Sequence, residues 1–165
     1  MDEFQTEIVA LLPRLRRLAR VLARNVADAD DLVQAAVERA LERRGQWTPG
    51  TRLDSWVFRI MKNAWIDETR SRTRKGRVFA AEAEGERVAD QSIASMETRL
   101  EASAVERALA ALPEDQRLPI ALVLIEGLSY KEAAEVLELP MGTLTSRLVR
   151  GRMALMAQFG EGGGS

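Results

Sequence analysis

The stretch GLSYKEAAEVLELPMGTLTSRLVRGR, residues 127–152, decides how this chain is read. Ser129 followed three residues later by Glu132 forms a capping box: the serine caps a new helix and the glutamate returns the bond. That helix is short. It breaks at Glu138-Leu139-Pro140, and a longer helix follows, expected over about Met141 to Gln158. A short helix, a tight link and a longer helix make a helix-turn-helix, whose second helix enters the major groove of DNA. The longer helix is two-sided. Leu144, Leu148, Gly151 and Leu155 form a stripe suited to packing. Thr143, Ser146, Arg147 and Arg150 form the opposite stripe, with Thr145 and Val149 beside it. Arginine donates two bonds to guanine, hydroxyls serve phosphates or base edges, and valine meets a thymine methyl. Gly142 allows close approach to a phosphate. An ordinary helical hairpin with an exposed arginine face is the other reading of the same spacing.

Upstream, helical periodicity resumes by Met96 and Leu100 and continues to Leu112-Pro113; a further helix, about Gln116 to Glu126, stops at Gly127. Pro119 is expected to bend it before the apolar segment Ile120 to Ile125. At the other end of the chain three amphipathic helices are expected. The first carries its buried stripe at Ile8, Leu11, Leu12, Leu15, Leu18, Ala19 and Leu22, with Arg14, Arg16, Arg17, Arg20 and Arg24 on other faces, and Pro13 opens or kinks it. The second is expected to follow Asp28, capped by that residue with Asp31 three positions on. It buries Leu32, Val33, Ala36, Val37, Ala40 and Leu41 and stops at Gly45. After a loop, Gln46 to Arg52, the third runs from about Leu53 to Arg72, burying Leu53, Trp56, Val57, Ile60, Met61 and Ala64. Short connections between three such helices make a small bundle. The chain is therefore expected to be all-α: a first domain over residues 1–73, a flexible linker over 74–94, a helix-turn-helix domain over 95–159 and a disordered Gly-rich tail over 160–165.

Composition narrows the chemistry. The chain of 165 residues has no cysteine and no histidine, so disulfides, thiol catalysis and the commonest general base and metal ligand are absent. No phosphate-binding glycine loop or nucleophile–base pair is found, and Asp28, Asp30 and Asp31 lack calcium-loop spacing. Neither catalysis nor a metal or cofactor is expected. No signal peptide is recognised, and no apolar run reaches the about 20 residues that span a bilayer, which suits a reducing cytoplasm. Net charge is −1, but it is unevenly spread. Residues 1–77 hold 16 basic and 11 acidic groups, residues 78–104 hold 2 and 6, and residues 105–165 hold 6 and 8. Two basic surfaces with an acidic connector suit a nucleic-acid partner better than the average suggests.

Residues 127–152 resemble the second DNA-binding domain of extracytoplasmic-function (ECF) sigma factors, group 4 of the main bacterial sigma family. Leu112-Pro113-Glu-Asp-Gln-Arg117 looks like that domain's entry. Asp28-Ala-Asp-Asp-Leu-Val-Gln34 and Trp56-Val-Phe-Arg-Ile-Met-Lys-Asn63, ending in Ile66-Asp67, resemble the first domain. The resemblance implies promoter-specific transcription initiation with core RNA polymerase. The helix carrying Asp28, Asp31, Gln34, Glu38 and Arg39 would dock on the β′ clamp helices, and the second domain on the β flap; Asp28 and Asp31 also read simply as helix caps. Ala35 departs from the acidic residue often found there.

Trp47, Arg59, Lys62, Asn63 and Arg70 would open and hold the minus-ten element: Asn63 by base reading, the cations on the backbone, and Trp47 by stacking or else as a structural lid. Trp56 is expected in the core. Arg70, Arg72, Arg74, Lys75 and Arg77 would track phosphates, unless they are a solvated helix end. Thr143, Thr145, Ser146, Arg147, Val149 and Arg150 would read the minus-thirty-five element, with Arg152 on phosphate; Thr145 stands where a basic residue is common. An anti-sigma factor is expected to pack the two domains together, and core polymerase to space them. The alternative is a sigma-like decoy that sequesters an anti-sigma factor without directing transcription. A stand-alone repressor needs no Asp-Asp-Leu-Val-Gln helix and usually dimerises.

Overall fold

Asp2 opens the first helix. Its carboxylate accepts the Gln5 backbone N–H at 2.9 Å, and the Gln5 side chain accepts the Asp2 N–H at 3.1 Å, a reciprocal cap that satisfies two otherwise orphaned donors. In the computed structural model α1 spans Glu3–Leu22 and continues unbroken through Pro13. That proline lies on the exposed side, where the carbonyl it leaves unpaired is open to solvent. The structure describes residues 1–23, 25–79 and 104–163, with side chains through residue 73 and again over 104–159. The central linker, Met96, Leu100 and the side chains of Arg74, Lys75 and Arg77 lie outside that description.

Helix α2 spans Val26–Glu42, which corrects the expected start. Asn25, as good a cap as aspartate, accepts the Asp28 N–H at 2.8 Å, so the helix begins before Asp28. Freed from capping, the Asp28 carboxylate takes the Arg72 guanidinium at 2.6 and 2.8 Å. Helix α3 spans Leu53–Phe79, past the expected end near residue 72, because propagation costs little once a helix is formed. Leu15, Leu18 and Ala19 of α1, Ala36 and Ala40 of α2, and Val57, Phe58 and Met61 of α3 are fully buried where the three meet. Leu41 of α2, expected inside, is exposed, and Phe58 of α3, absent from the expected stripe, is enclosed.

The second module begins with α4, helical over residues 104–110. The buried Arg117 guanidinium donates to the carbonyls of Leu109 and Leu112, both at 3.1 Å, satisfying acceptors that the end of α4 leaves open. Helix α5 spans Glu114–Ile120 and passes into one wide π-turn, Ala121–Ile125. Here Glu126 N–H reaches back five residues to the Ala121 carbonyl at 2.9 Å. The bend expected at Pro119 is thus followed by a locally widened helix. Gly127, at φ +76°, ends it.

Helices α6, Tyr130–Leu137, and α7, Met141–Gly163, form the helix-turn-helix. The predicted capping box is present, with Ser129 Oγ accepting the Glu132 N–H at 3.1 Å and Glu132 Oε1 accepting the Ser129 N–H at 2.8 Å. Glu138 turns the corner in the left-handed conformation, φ 56° and ψ 46°. Helix α7 runs past the expected limit at Gln158 into the glycines. Among the described residues all regular structure is helical, and no helix is long and apolar enough to cross a membrane.

Leu144 and Leu148 sink fully into the second core beside Ile120, Leu122 and Val136. Gly151 lets α7 approach still closer, since a Cβ there would lie 2.7 Å from Ile120 Cγ1. Gly151→Ala is expected to lower stability by about 1–3 kcal/mol through overpacking. Gly142→Ala, with nothing within 4 Å of its added carbon, is expected to be neutral or slightly stabilising. Urea unfolding of the two variants checks the contrast.

Candidate nucleic-acid interface

The outer side of α7 follows from the burial of its inner side. With Leu144, Leu148 and Gly151 held inward, Ser146, Val149 and Arg150 project away from the core, and Thr143 and Arg147 flank them on one edge. Thr145 and Arg152 lie exposed on the other edge. Arg150 Nη2 donates to Ser146 Oγ at 2.8 Å, which fixes the two as one polar unit. Thr145 Oγ1 donates to the Met141 carbonyl at 2.8 Å, so its hydroxyl proton is already committed within the helix. Val149 is 52% exposed, and Met153, not singled out from the sequence, extends the same outward face at 65%. The apolar face of α7 thus turns its polar groups outward, as a major-groove helix requires.

Helix α2 presents Asp31, Gln34 and Glu38 to solvent. Gln34 Nε2 donates to Glu38 Oε1 at 3.3 Å, and Arg39 pairs with Asp67 of α3 at 3.1 Å. Between the helices lies a shallow groove floored by Leu32, Ala64 and Trp65, with Asp28, Asp31 and Arg39 on its rims. The five residues expected to meet polymerase thus share one side of α2, although Asp28 and Arg39 are tied to α3.

The minus-ten candidates divide. Trp47 is half-buried with its ring centroid 5.7 Å from that of Phe4, and Trp56 meets Phe4 edge-on at 6.2 Å. Trp47 thus packs on Phe4, and its enclosed indole N–H has no protein acceptor. Asn63 is half-buried on α3, and Arg70 is exposed. Arg59 and Lys62 are both engaged by Glu138 from the helix-turn, at 2.8 and 3.5 Å. Burial pushes the Lys62 ammonium below its ordinary pKa, partly offset by Glu138.

Sequence reasoning missed the ionic seam to which these last contacts belong. Glu126, at the end of the π-turn, has a side chain only 1% exposed. It receives Arg14 Nε at 3.0 Å, and Arg17 through Nε at 2.7 Å and Nη2 at 2.8 Å. Arg14 also donates to the Glu126 carbonyl and to Asp54, each at 3.0 Å, while its guanidinium lies 5.1 Å from the Phe58 ring centre. Arg52 bridges Asp54 and Glu132, both at 2.6 Å. The two modules therefore pack on each other through contacts of the chain itself. A single carboxylate closing the apolar run at Ile125 was the available signal, but its partners lie more than a hundred residues away.

A family model for the sigma2 domain of PhyR matches residues 8–62, and one for sigma-70 region 4 matches residues 102–155. The chain is 35% identical to the ECF RNA polymerase sigma factor EcfG of Rhodopseudomonas palustris, over 94% of this chain and 84% of the relative. The chain belongs to the ECF sigma factors. A second relative, the ECF sigma factor SigM of Mycobacterium tuberculosis, is 37% identical over 89% of this sigma factor and 72% of its own length. A solved structure of the sigma factor RpoE in complex with the anti-sigma factor NepR from Bartonella quintana superposes with a TM-score of 0.80 at 29% identity. It covers 95% of this chain and 96% of that one. ECF sigma factors are regulatory transcription-initiation factors rather than catalysts. The two matched regions fall on α1–α3 and on the module of α4–α7, so the ordered pair of domains read from the sequence is the one the fold carries.

Asp54 links stability of this sigma factor to pH. Burial alone would raise its pKa, but hydrogen bonds from Arg52 and Arg14 prevail and hold the carboxyl below its usual range. A depressed native pKa contributes stability that is complete above the unfolded value, about 3.9, and is lost as pH falls through the native value. Asp54→Asn is therefore expected to be less stable than the parent at pH 6. The gap should narrow below about pH 4, as thermal unfolding across that range will show.

Proposed function

We propose that this ECF sigma factor places α2 on the β′ clamp helices of core RNA polymerase and the second module on the β flap, in the cytoplasm, and that it works by binding alone. Asp28, Asp31, Gln34, Glu38 and Arg39 form the polymerase face. Arg59, Lys62 and Arg70 hold the minus-ten backbone and Asn63 reads an extruded base, whose unstacking the pocket must offset; Trp47 braces the loop beside them. Ser146, Arg147, Val149 and Arg150 read minus-thirty-five base edges, with Thr143, Thr145 and Arg152 at the margins. The working units are residues 1–73 and 95–159, the first carried on by α3 to Phe79. An anti-sigma factor competes for the same surfaces.

The observation that carries this reading is the side-to-side division of α7. Leu144, Leu148 and Gly151 are enclosed, while Ser146, Val149 and Arg150 face outward. Had these outward groups been enclosed, nothing would remain to meet the groove.

Reconstitution with core polymerase tests it. Promoter-specific transcripts are expected from the purified chain plus core enzyme, and complete silence on genomic promoters would favour the decoy. Arg147→Ala and Arg150→Ala are each expected to cost about 1–3 kcal/mol and to relax preference at one upstream base pair. A uniform loss across promoter variants would move that arginine to the phosphates instead.

A further inference from the structure

Phe4, in the first turn of α1, is only 6% exposed, and three groups from elsewhere in the first module meet its ring. The Trp47 indole lies 5.7 Å away, tilted by 52°, and the Trp56 indole stands edge-on at 6.2 Å. The Arg44 guanidinium lies over the ring, 4.7 Å from its centre. Asp2 holds that cation through Oδ2 at 2.8 Å, while Oδ1 of the same carboxylate caps α1 by accepting the Gln5 N–H.

These partners bracket one segment. Arg44 opens a short 3₁₀ turn, Arg44–Gln46, that follows α2. Trp47 comes next, and Trp56 stands in the first turn of α3. The loop between the two indoles therefore leaves from one ring and returns to it. Its tip is a closed turn. Thr51 donates to the Thr48 carbonyl through its N–H at 3.2 Å and through Oγ1 at 2.6 Å, with Gly50 at φ +91°. Thr48, Pro49, Gly50 and Thr51 are all exposed. An exposed tip on a clamped base is a surface shaped before its target arrives.

We propose that Phe4 is a positioning residue for minus-ten recognition: its ring sets Trp47, and through Trp47 the Thr48–Thr51 tip against which an extruded base is held. The proposal rests on the assignment of this loop and α3 to the minus-ten element. Phe4 itself touches no DNA. Aromatic pairs prefer tilted and edge-on geometries, so the ring fixes orientation as well as distance, which an aliphatic side chain does not. The cation above it adds a third directional contact. Extruding a base already costs unstacking energy, and a loop ordered beforehand adds little entropy to that cost. The brace thus acts on the selectivity of promoter opening.

Polymerase reconstituted with Phe4→Leu tests this on a promoter mapped with the parent chain, carrying each base in turn at the extruded position. Leucine keeps the apolar burial and gives up the ring. The ratio of opening rates between best and worst base is expected to fall about tenfold. Affinity for core polymerase and for the upstream duplex should stay as in the parent. Phe4→Tyr is expected to restore the ratio. Arg44→Ala should lower it less, and should add nothing to Phe4→Leu, because the cation acts through the ring. Ile8→Val trims another enclosed side chain of α1 and serves as the control. It should lower the urea midpoint while leaving the ratio intact.

Trp47 reports on the loop directly. In a chain carrying Trp56→Phe and Trp65→Phe, acrylamide quenching of Trp47 is expected to rise when Phe4→Leu is added. Unchanged quenching overturns the brace. Raised quenching with an intact base ratio overturns its part in recognition, as does an equal fall in the ratio from Ile8→Val. The underlying assignment is judged separately, by Thr48→Ala with Thr51→Ala in the parent. If that variant keeps the parent's base ratio, the loop does not serve the minus-ten element, whatever the quenching shows.

Discussion

A carboxylate taken out of water must find cations and donors, and Glu126 finds them in Arg14 and Arg17. Much of the arrangement between the modules follows from that one requirement. Arg14 is held over Phe58 and shared with Asp54; Asp54 in turn holds Arg52, and Arg52 reaches Glu132. One chain of charge therefore runs from α1 through α3 to α6. Each member is satisfied by the next, which is the condition under which polar groups are tolerated in a packed interface. Removing one partner would leave its neighbour enclosed and unpaired, so the network acts as a unit.

The second constraint is the division of α7 into an enclosed and an outward side. Close packing at Gly151 fixes the helix against Ile120, and Leu144 and Leu148 fix its rotation. With rotation set by packing, Ser146 and Arg150 need no further support to face outward, and the hydrogen bond between them trims their freedom. A helix positioned by its own core loses less entropy on binding a partner than one ordered by that partner.

Much of this was legible in the sequence. Periodicity located the helices, and Ser129 with Glu132 announced the start of α6 as the structure has it. The stripe of Leu144, Leu148 and Gly151 identified the inner side of α7. The misses have physical reasons. Asn25 and Asp28 are equally good caps, and spacing alone does not choose between them. Glycine discourages helix without forbidding it, so α7 continues past Gln158. Leu41 lies at the edge of the α2 stripe and stays partly outside, while Phe58, next to Val57 on α3, is enclosed although the predicted α3 stripe omitted it. The seam of Glu126, Glu132 and Glu138 was illegible for another reason: surface and interface carboxylates read alike until the partner helices are placed.

The π-turn over Ala121–Ile125 has a consequence for how this lineage can change. A widened turn holds one residue more than an ordinary one, so everything beyond it is rotated by roughly 100° relative to a regular helix of 3.6 residues per turn. Glu126 directly follows that turn, and its side chain is enclosed against Arg14 and Arg17. Deleting a single residue there is expected to turn the Glu126 side chain away from Arg14 and Arg17, at a cost to the core that Ala121 and Leu122 help to fill. Chain length at this point, rather than side-chain identity, is then the variable by which evolution could retune how firmly the molecule folds back upon itself.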